Sequence, residues 1–155
     1  NYKFSNFKLN KVVNEVIYNA NLMLKSGQHI IYPKDIDNID VYQDEKILEL
    51  ILSNVLNNAI KYSPENTEID FKISFKKAII IFEIKDQGIG IPQKDQKHIF
   101  NRYFRAENAL TNQGTGIGLN IVKTHLESLG GTIKFTSIAD KGSTFSVELP
   151  LINKK

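Results

Sequence analysis

The stretch from Asp44 to Tyr62 constrains this chain more than any other. Ile47, Leu48, Ile51, Leu52, Val55, Leu56, Ala59 and Ile60 recur at helical intervals and make one broad apolar stripe for a core. Ser63-Pro64 ends the run, because a residue before proline is pushed out of the helical region. A stripe this wide needs an opposing layer, and the rest of the sequence has the patterns to build one.

A first helix is expected over Leu9–Lys25, from the spacing of Leu9, Val12, Val13, Val16, Ile17, Ala20 and Leu24, with Gly27 as its stop. Short β-like stretches follow near His29–Tyr32 and Ile39–Tyr42. Glu68–Phe75 and Ala78–Lys85 read as a hairpin around Lys76-Lys77, and Thr132–Ile138 and Ser143–Leu149 as a second around Asp140-Lys141-Gly142. A third long helix is expected over Gly118–Leu129, with a short helical piece near Gln93–Phe100. The predicted fold is α+β: a two-layer α/β sandwich with a mixed, mostly antiparallel sheet covered on one face by three helices. Residues 1–155 are expected to form one domain.

Composition narrows the classes. A hydrophobic share of 41% and a charged share of 24% suit an ordinary globular domain that needs no staples. The chain has no cysteine, so it has neither a disulfide framework nor a thiolate metal site. The net charge of +3 comes from scattered basic residues, which gives no nucleic-acid footprint. No apolar run approaches the roughly 18 residues of a membrane span. The chain starts at Asn1 rather than methionine, from which an upstream segment is expected.

The helix from Asp44 carries the first chemistry. At about 100° per residue, Asn54, Asn58 and Lys61 fall within an arc of about 60° on one edge of the apolar stripe. Neutral amide oxygens suit Mg²⁺, which keeps waters and shares substrate phosphates, and a lysine beside them suits phosphate charge. Any single asparagine here reads equally well as a tolerated polar residue at a helix boundary. Three within five residues are disfavoured by helix propensity, which points to a function for the set.

Two glycine runs follow. In Asp86-Gln87-Gly88-Ile89-Gly90 the glycines permit close backbone approach, and the carboxylate can accept a hydrogen bond from the exocyclic amine of a base. A turn with an Asx-type hydrogen bond explains this run equally well. Gly114-Thr115-Gly116-Ile117-Gly118-Leu119 opens a helix whose N–H groups make an anion site, although a flexible loop explains it as well. It lacks the Lys-Ser/Thr of a P-loop and the spacing of a dinucleotide fingerprint. Between the runs, Phe100-Asn101-Arg102-Tyr103-Phe104-Arg105 alternates aromatics with arginines. That pattern suits either an anchored mobile lid presenting a guanidinium to phosphate or a plain surface loop.

Together and in this order, these segments resemble the ATP-binding catalytic domain of bacterial sensor histidine kinases, within the GHKL superfamily of gyrase, chaperone, kinase and mismatch-repair ATPases. Asn54 to Pro64 looks like the family's N box, Asp86 to Gly90 its G1 box, Phe100 to Arg105 its F box and Gly114 to Leu119 its G2 box. Gly142-Ser143-Thr144-Phe145 resembles the closing motif of the last hairpin.

The resemblance implies Mg²⁺ on Asn54 and Asn58, ATP phosphates on Lys61 and Arg105, and Tyr62 stacked beside the adenine, whose amino group Asp86 accepts. Asn58, Lys61 and Arg105 become the catalytic set. Gly88, Gly90, Gly114, Gly116 and Gly118, with Leu119, shape the pocket and the hinges of an ATP lid. Thr144 supports Asp86 from beneath, through water.

Within the superfamily, hydrolases and serine kinases resemble one another in placing a glutamate four residues before the magnesium asparagine. Here that position is Asn54, while Glu45 and Glu49 rotate to the far side of the stripe. Loss of a positioned base removes a factor of typically about 10²–10⁴ in water activation. The resemblance therefore favours a kinase over a GHKL-type ATPase, a serine kinase or a degenerate nucleotide-binding module. His29, His98 and His125 all lack the Glu/Asp-x-Arg-x-Pro that follows a phosphoacceptor histidine. The acceptor is expected on a separate helical dimerisation domain, which passes the phosphate to a response regulator. The piece itself is expected to be monomeric and to work in the cytoplasm, even where the parent protein spans the membrane.

Overall fold

The computed structural model describes residues 1–36, 39–106 and 118–150. In chain order these form β1 (Phe4–Lys8), α1 (Leu9–Asn21), β2 (His29–Ile31), β3 (Asp40–Asp44), α2 (Glu45–Lys61), β4 (Glu68–Lys76), β5 (Ile79–Lys85), α3 (Gly118–Ser128), β6 (Thr132–Ile138) and β7 (Gly142–Pro150). A short 3-10 helix, Gln93–His98, lies between β5 and α3. The main sheet has the order β2-β4-β5-β7-β6. β2 runs parallel to β4 and every other pair is antiparallel, which gives the expected mixed sheet of an α+β domain.

Strand alternation decides which residues meet the helices. Phe71, Ile84, Phe145 and Phe135 stand in one row across β4, β5, β7 and β6. Phe71, Ile84 and Phe145 are buried and Phe135 is half-buried, stacked on Phe145 with ring centroids 5.4 Å apart. The buried stripe of α2, Leu48, Ile51, Leu52, Val55, Leu56, Ala59 and Ile60, shares one core with this face. α1 and α3 flank α2 and contribute Val12, Val16, Val122 and Leu126. Each such side chain contributes about 1.5–3 kcal/mol on burial.

Asp44 starts α2 as its N-cap: Oδ1 accepts the Ile47 N–H at 3.1 Å while Oδ2 accepts the Lys3 N–H at 2.8 Å.

Three local features differ from the expectation. β1 pairs antiparallel with β3 in a separate two-stranded sheet. Its burial pattern, with Phe7 as the single buried position, carries no alternation that would announce a strand. α1 stops at Asn21 instead of Lys25, and Gly27 then turns the chain at φ +75. The first hairpin turns one residue later than expected: Lys76 pairs with Ile79, and Lys77 takes φ 56 in the two-residue loop.

Candidate functional site

α2 ends beside the loop that follows β5, and the start of α3 lies across from both. Between them is a cavity of about 270 Å³, near the lower end of the roughly 300–1,000 Å³ range of small-molecule pockets. Its apolar walls come from Val55 and Ala59 on α2, Ile84 and Phe145 on the sheet, Ile89 and Ile91 in the loop, and Leu119 on α3. Its polar groups are Asn58, Lys61, Tyr62, Asp86, Arg105 and Ser143. The cavity is thus a mainly apolar slot with one buried carboxylate and two cationic side chains.

The edge of α2 delivers Asn58 and Lys61, two of the three residues that its rotation groups together, to this wall, and Tyr62 joins them there. Tyr62 is the C-cap residue, and the Lys61 ammonium lies 5.2 Å from its ring centroid. Asn54, one turn earlier, is not on the wall. Its Nδ2 donates to the Leu50 carbonyl at 2.9 Å, and its Oδ1 faces Gly118, 3.1 Å from where a Cβ there would stand.

Asp86 is 8% exposed at the end of β5. The N–H groups of Gly88 (2.9 Å) and Ser143 (3.1 Å) both donate to its Oδ1. Among the described residues Oδ2 receives no hydrogen bond, so one carboxylate oxygen is left for a ligand. Burial pushes the Asp86 carboxyl above its ordinary value, against the opposing pull of those two N–H donors.

The loop after Asp86 is fixed from two sides. Ile89 N–H donates to the Tyr62 carbonyl at 3.1 Å, and Asp140 N–H donates to the Ile89 carbonyl at 2.7 Å. Gly90 adopts φ +66, and a Cβ there would collide with the Ile138 carbonyl, so both conformation and space require glycine. A Cβ on Gly88 would press on the Tyr62 carbonyl. Asn120 Nδ2 on α3 donates to the Phe100 carbonyl at 3.1 Å, which ties the aromatic–arginine segment to the helix. Gly114 and Gly116 lie outside the described residues.

Thr144 is not where the sequence reading needs it. It pairs with Lys85 in the row that also holds Asp70 and Thr136, opposite in parity to Ile84 and Phe145, so its side chain stands on the other face of the sheet. Its neighbour Ser143 lines the cavity and holds Asp86 through its backbone, while its Oγ lies 2.7 Å from Ser137 Oγ. Ser137 Oγ in turn accepts the Ile91 N–H at 2.8 Å. Strand parity is the signal that could have favoured Ser143: it shares the parity of the apolar Phe145, Val147 and Leu149.

The carboxylates of α2 lie elsewhere. Glu45 bridges to Lys11 on α1 at 2.9 Å, and Glu49 is raised above its ordinary value by burial and by Glu45 and Glu15. Among the described lining residues, Asp86 is the one carboxylate. No helix among the described residues is long and apolar enough to cross a membrane.

Residues 43–153 match the model of the histidine kinase-, DNA gyrase B-, and HSP90-like ATPase family. The chain is 36% identical over 129 residues to the sensor histidine kinase WalK of Bacillus subtilis, covering 79% of this chain and 21% of that protein. It is 31% identical over 144 residues to the sensor-like histidine kinase SenX3 of Mycolicibacterium smegmatis, covering 92% of this chain and 38% of that protein. The chain thus spans a minor part of these relatives' length. In structure it is similar to the nucleotide-free catalytic domain of the histidine kinase ThkA, with a TM-score of 0.78, 25% identity and 96% of each chain covered. It shares the fold of full-length ShkA in complex with AMPPNP at a TM-score of 0.79 and 22% identity, over 99% of this chain and 32% of that one. The match spans the α2 edge, the Asp86 loop and the closing hairpin, and on it the chain belongs to the histidine kinase-, DNA gyrase B-, and HSP90-like ATPase family, as a catalytic domain of the sensor-histidine-kinase type.

Proposed function

We propose that this domain binds Mg·ATP in the cavity between α2 and α3 and presents the γ-phosphate to a histidine on a separate helical domain, from which a response regulator is phosphorylated. The observation that carries the reading is the polarity of the cavity. A buried carboxylate with one oxygen that no described residue claims lies in an apolar slot, with Lys61 and Arg105 on the same lining. Asp86 Oδ2 accepts the adenine amino group, Tyr62 and the apolar walls take the ring, and Lys61 and Arg105 take phosphate charge. Phosphoryl transfer asks the protein mainly for positioning and charge stabilisation, which these groups supply.

The donor set also fits a magnesium ion that arrives with the nucleotide. No trio of His, Asp or Glu among the described residues could hold an ion unaided, and Mg²⁺ takes most of its ligands from phosphates and water. Asn58 lines the cavity and offers a neutral oxygen to that ion, with Asn54 one turn earlier on α2, its Oδ1 facing Gly118. The ion would neutralise phosphate charge and orient the transferred group.

A kinase is favoured over a hydrolase because no carboxylate of α2 reaches the cavity wall to activate water. None of the chain's three histidines is among the residues that line the cavity. His125 Nδ1 lies 2.9 Å from Tyr2 Oη and His98 Nδ1 lies 3.2 Å from Asn101 Nδ2, while His29 sits exposed on β2, away from the cavity lining.

The test is transfer from ATP carrying a labelled γ-phosphate. The chain alone should stay unlabelled, and adding the helical phosphoacceptor domain of its parent should produce acid-labile phosphate on that domain. Stoichiometric acid-labile phosphate on the chain alone, or release of inorganic phosphate without transfer, would contradict the reading.

A further inference from the structure

The last turn of α2 brings Lys61 and Tyr62 to the cavity, and helix ends leave carbonyl oxygens without intrahelical partners. Here those oxygens are claimed by groups from outside the motifs. Lys25 Nζ donates to the Lys61 carbonyl at 2.8 Å and to the Ser63 carbonyl at 2.7 Å. Gln28, 3% exposed, points Nε2 at the carbonyls of Ile60 (3.3 Å), Ser63 (3.1 Å) and Pro64 (3.2 Å). Its Oε1 accepts the Lys25 N–H at 2.7 Å, which locks the pair together. The Tyr62 carbonyl is held from the opposite side by Ile89 N–H at 3.1 Å. The two residues that face the ligand are therefore rooted between two clamps.

Lys25 and Gln28 lie in the connection between α1 and β2, outside the residues that match the family model, and neither lines the cavity. An ammonium at a helix C-terminus also meets the negative end of the helix dipole, so its charge is held where it stops the last turn from fraying. A lysine side chain is long and flexible, and its ammonium is only as well placed as the backbone it leaves.

We infer that Lys25 and Gln28 are positioning residues for the phosphate end of the nucleotide site, acting through the carbonyls of Lys61 and Ser63 to fix the root of the Lys61 side chain. The inference rests on the reading of this cavity as a Mg·ATP site. Both residues act on the backbone rather than on the ligand, so their effect must pass through Lys61. Lys25 is exposed, so its replacement leaves the core intact.

The test is a double-mutant cycle on ATP affinity, measured by titration with Mg²⁺ for the wild type, Lys25→Met, Lys61→Gln and the double variant. Lys25→Met should weaken ATP about fivefold in the wild-type background and less than about twofold in the Lys61→Gln background. Lys25→Arg, which keeps a donor at the same place, should restore affinity, and Gln28→Met should repeat the coupling to Lys61. An equal loss in both backgrounds would mean that Lys25 acts by its own charge through space and would overturn the inference. So would wild-type affinity in Lys25→Met, or a lowered unfolding temperature without any change in affinity. A wild type that binds no ATP at millimolar concentration would overturn the nucleotide reading itself, and this inference with it.

Discussion

Asp86 and Ser143 exchange two hydrogen bonds: the Asp86 N–H donates to the Ser143 carbonyl at 2.9 Å, and the Ser143 N–H donates to Asp86 Oδ1 at 3.1 Å. The exchange carries the β5–β7 ladder one step beyond the last paired residues, Lys85 and Thr144. The carboxylate is therefore aimed by backbone geometry, and the side chains on β7 contribute little to its placement.

It follows that Thr144→Ala should leave nucleotide affinity within about twofold, because its side chain stands on the far face of the sheet. Ser143→Ala removes the contact with Ser137 Oγ, at 2.7 Å, but keeps both backbone bonds to Asp86. It should lower stability by about 1 kcal/mol with little change in affinity. Titration and urea unfolding of the two variants check this. Loss of binding in Thr144→Ala alone would contradict the strand register.

The burial of Asp86 predicts a pH-dependent stability difference. Its folded-state carboxyl lies above its ordinary value, so the folded state holds the proton more tightly than the unfolded chain does. Ionised Asp86 is then a cost to folding at neutral pH, and that cost disappears as pH falls through the folded value. Asp86→Asn keeps an Oδ1 acceptor for Gly88 and Ser143 without the charge. The variant should gain stability relative to the wild type at neutral pH, with the gain vanishing under acid conditions. A loss of stability that is independent of pH would show that the charged form is favoured by its hydrogen bonds.

Gly90→Ala should destabilise the domain by about 1–3 kcal/mol, since the substitution adds strain at φ +66 to a collision with the Ile138 carbonyl. Thermal unfolding measures it. A change of only a few tenths would mean that the loop and the β6–β7 hairpin are not packed against each other as described.

Much of the site could be read in advance because its residues sit on elements with a strict period. Rotation about α2 brings Asn58 and Lys61 to one edge from spacing alone, and Asp86 is marked by the strand before it and the glycines after it. What spacing does not supply has particular physical causes. Thr144 and Ser143 differ by one residue, and on a strand that difference exchanges the faces of a sheet, a parity fixed by the pairing of Lys85 with Thr144. The turn of Asn54 toward Gly118 depends on which of its amide atoms back-bonds to Leu50, which no spacing rule supplies. Lys25 and Gln28 act on α2 from a connection with no periodic signal, through contacts with residues more than thirty positions away. β1 has no legible signal because one buried phenylalanine does not make an alternation.

The central claim is that the cavity recognises adenine through Asp86. The measurement that tests it most directly is a calorimetric titration of the domain with ATP, with and without Mg²⁺, on the wild type and Asp86→Asn. An amide at this position presents an N–H donor to the adenine amino group in place of an acceptor, so binding should saturate in the wild type and weaken by about tenfold or more in the variant. Equal affinity in the two proteins, or no wild-type binding at millimolar ATP, would contradict the account.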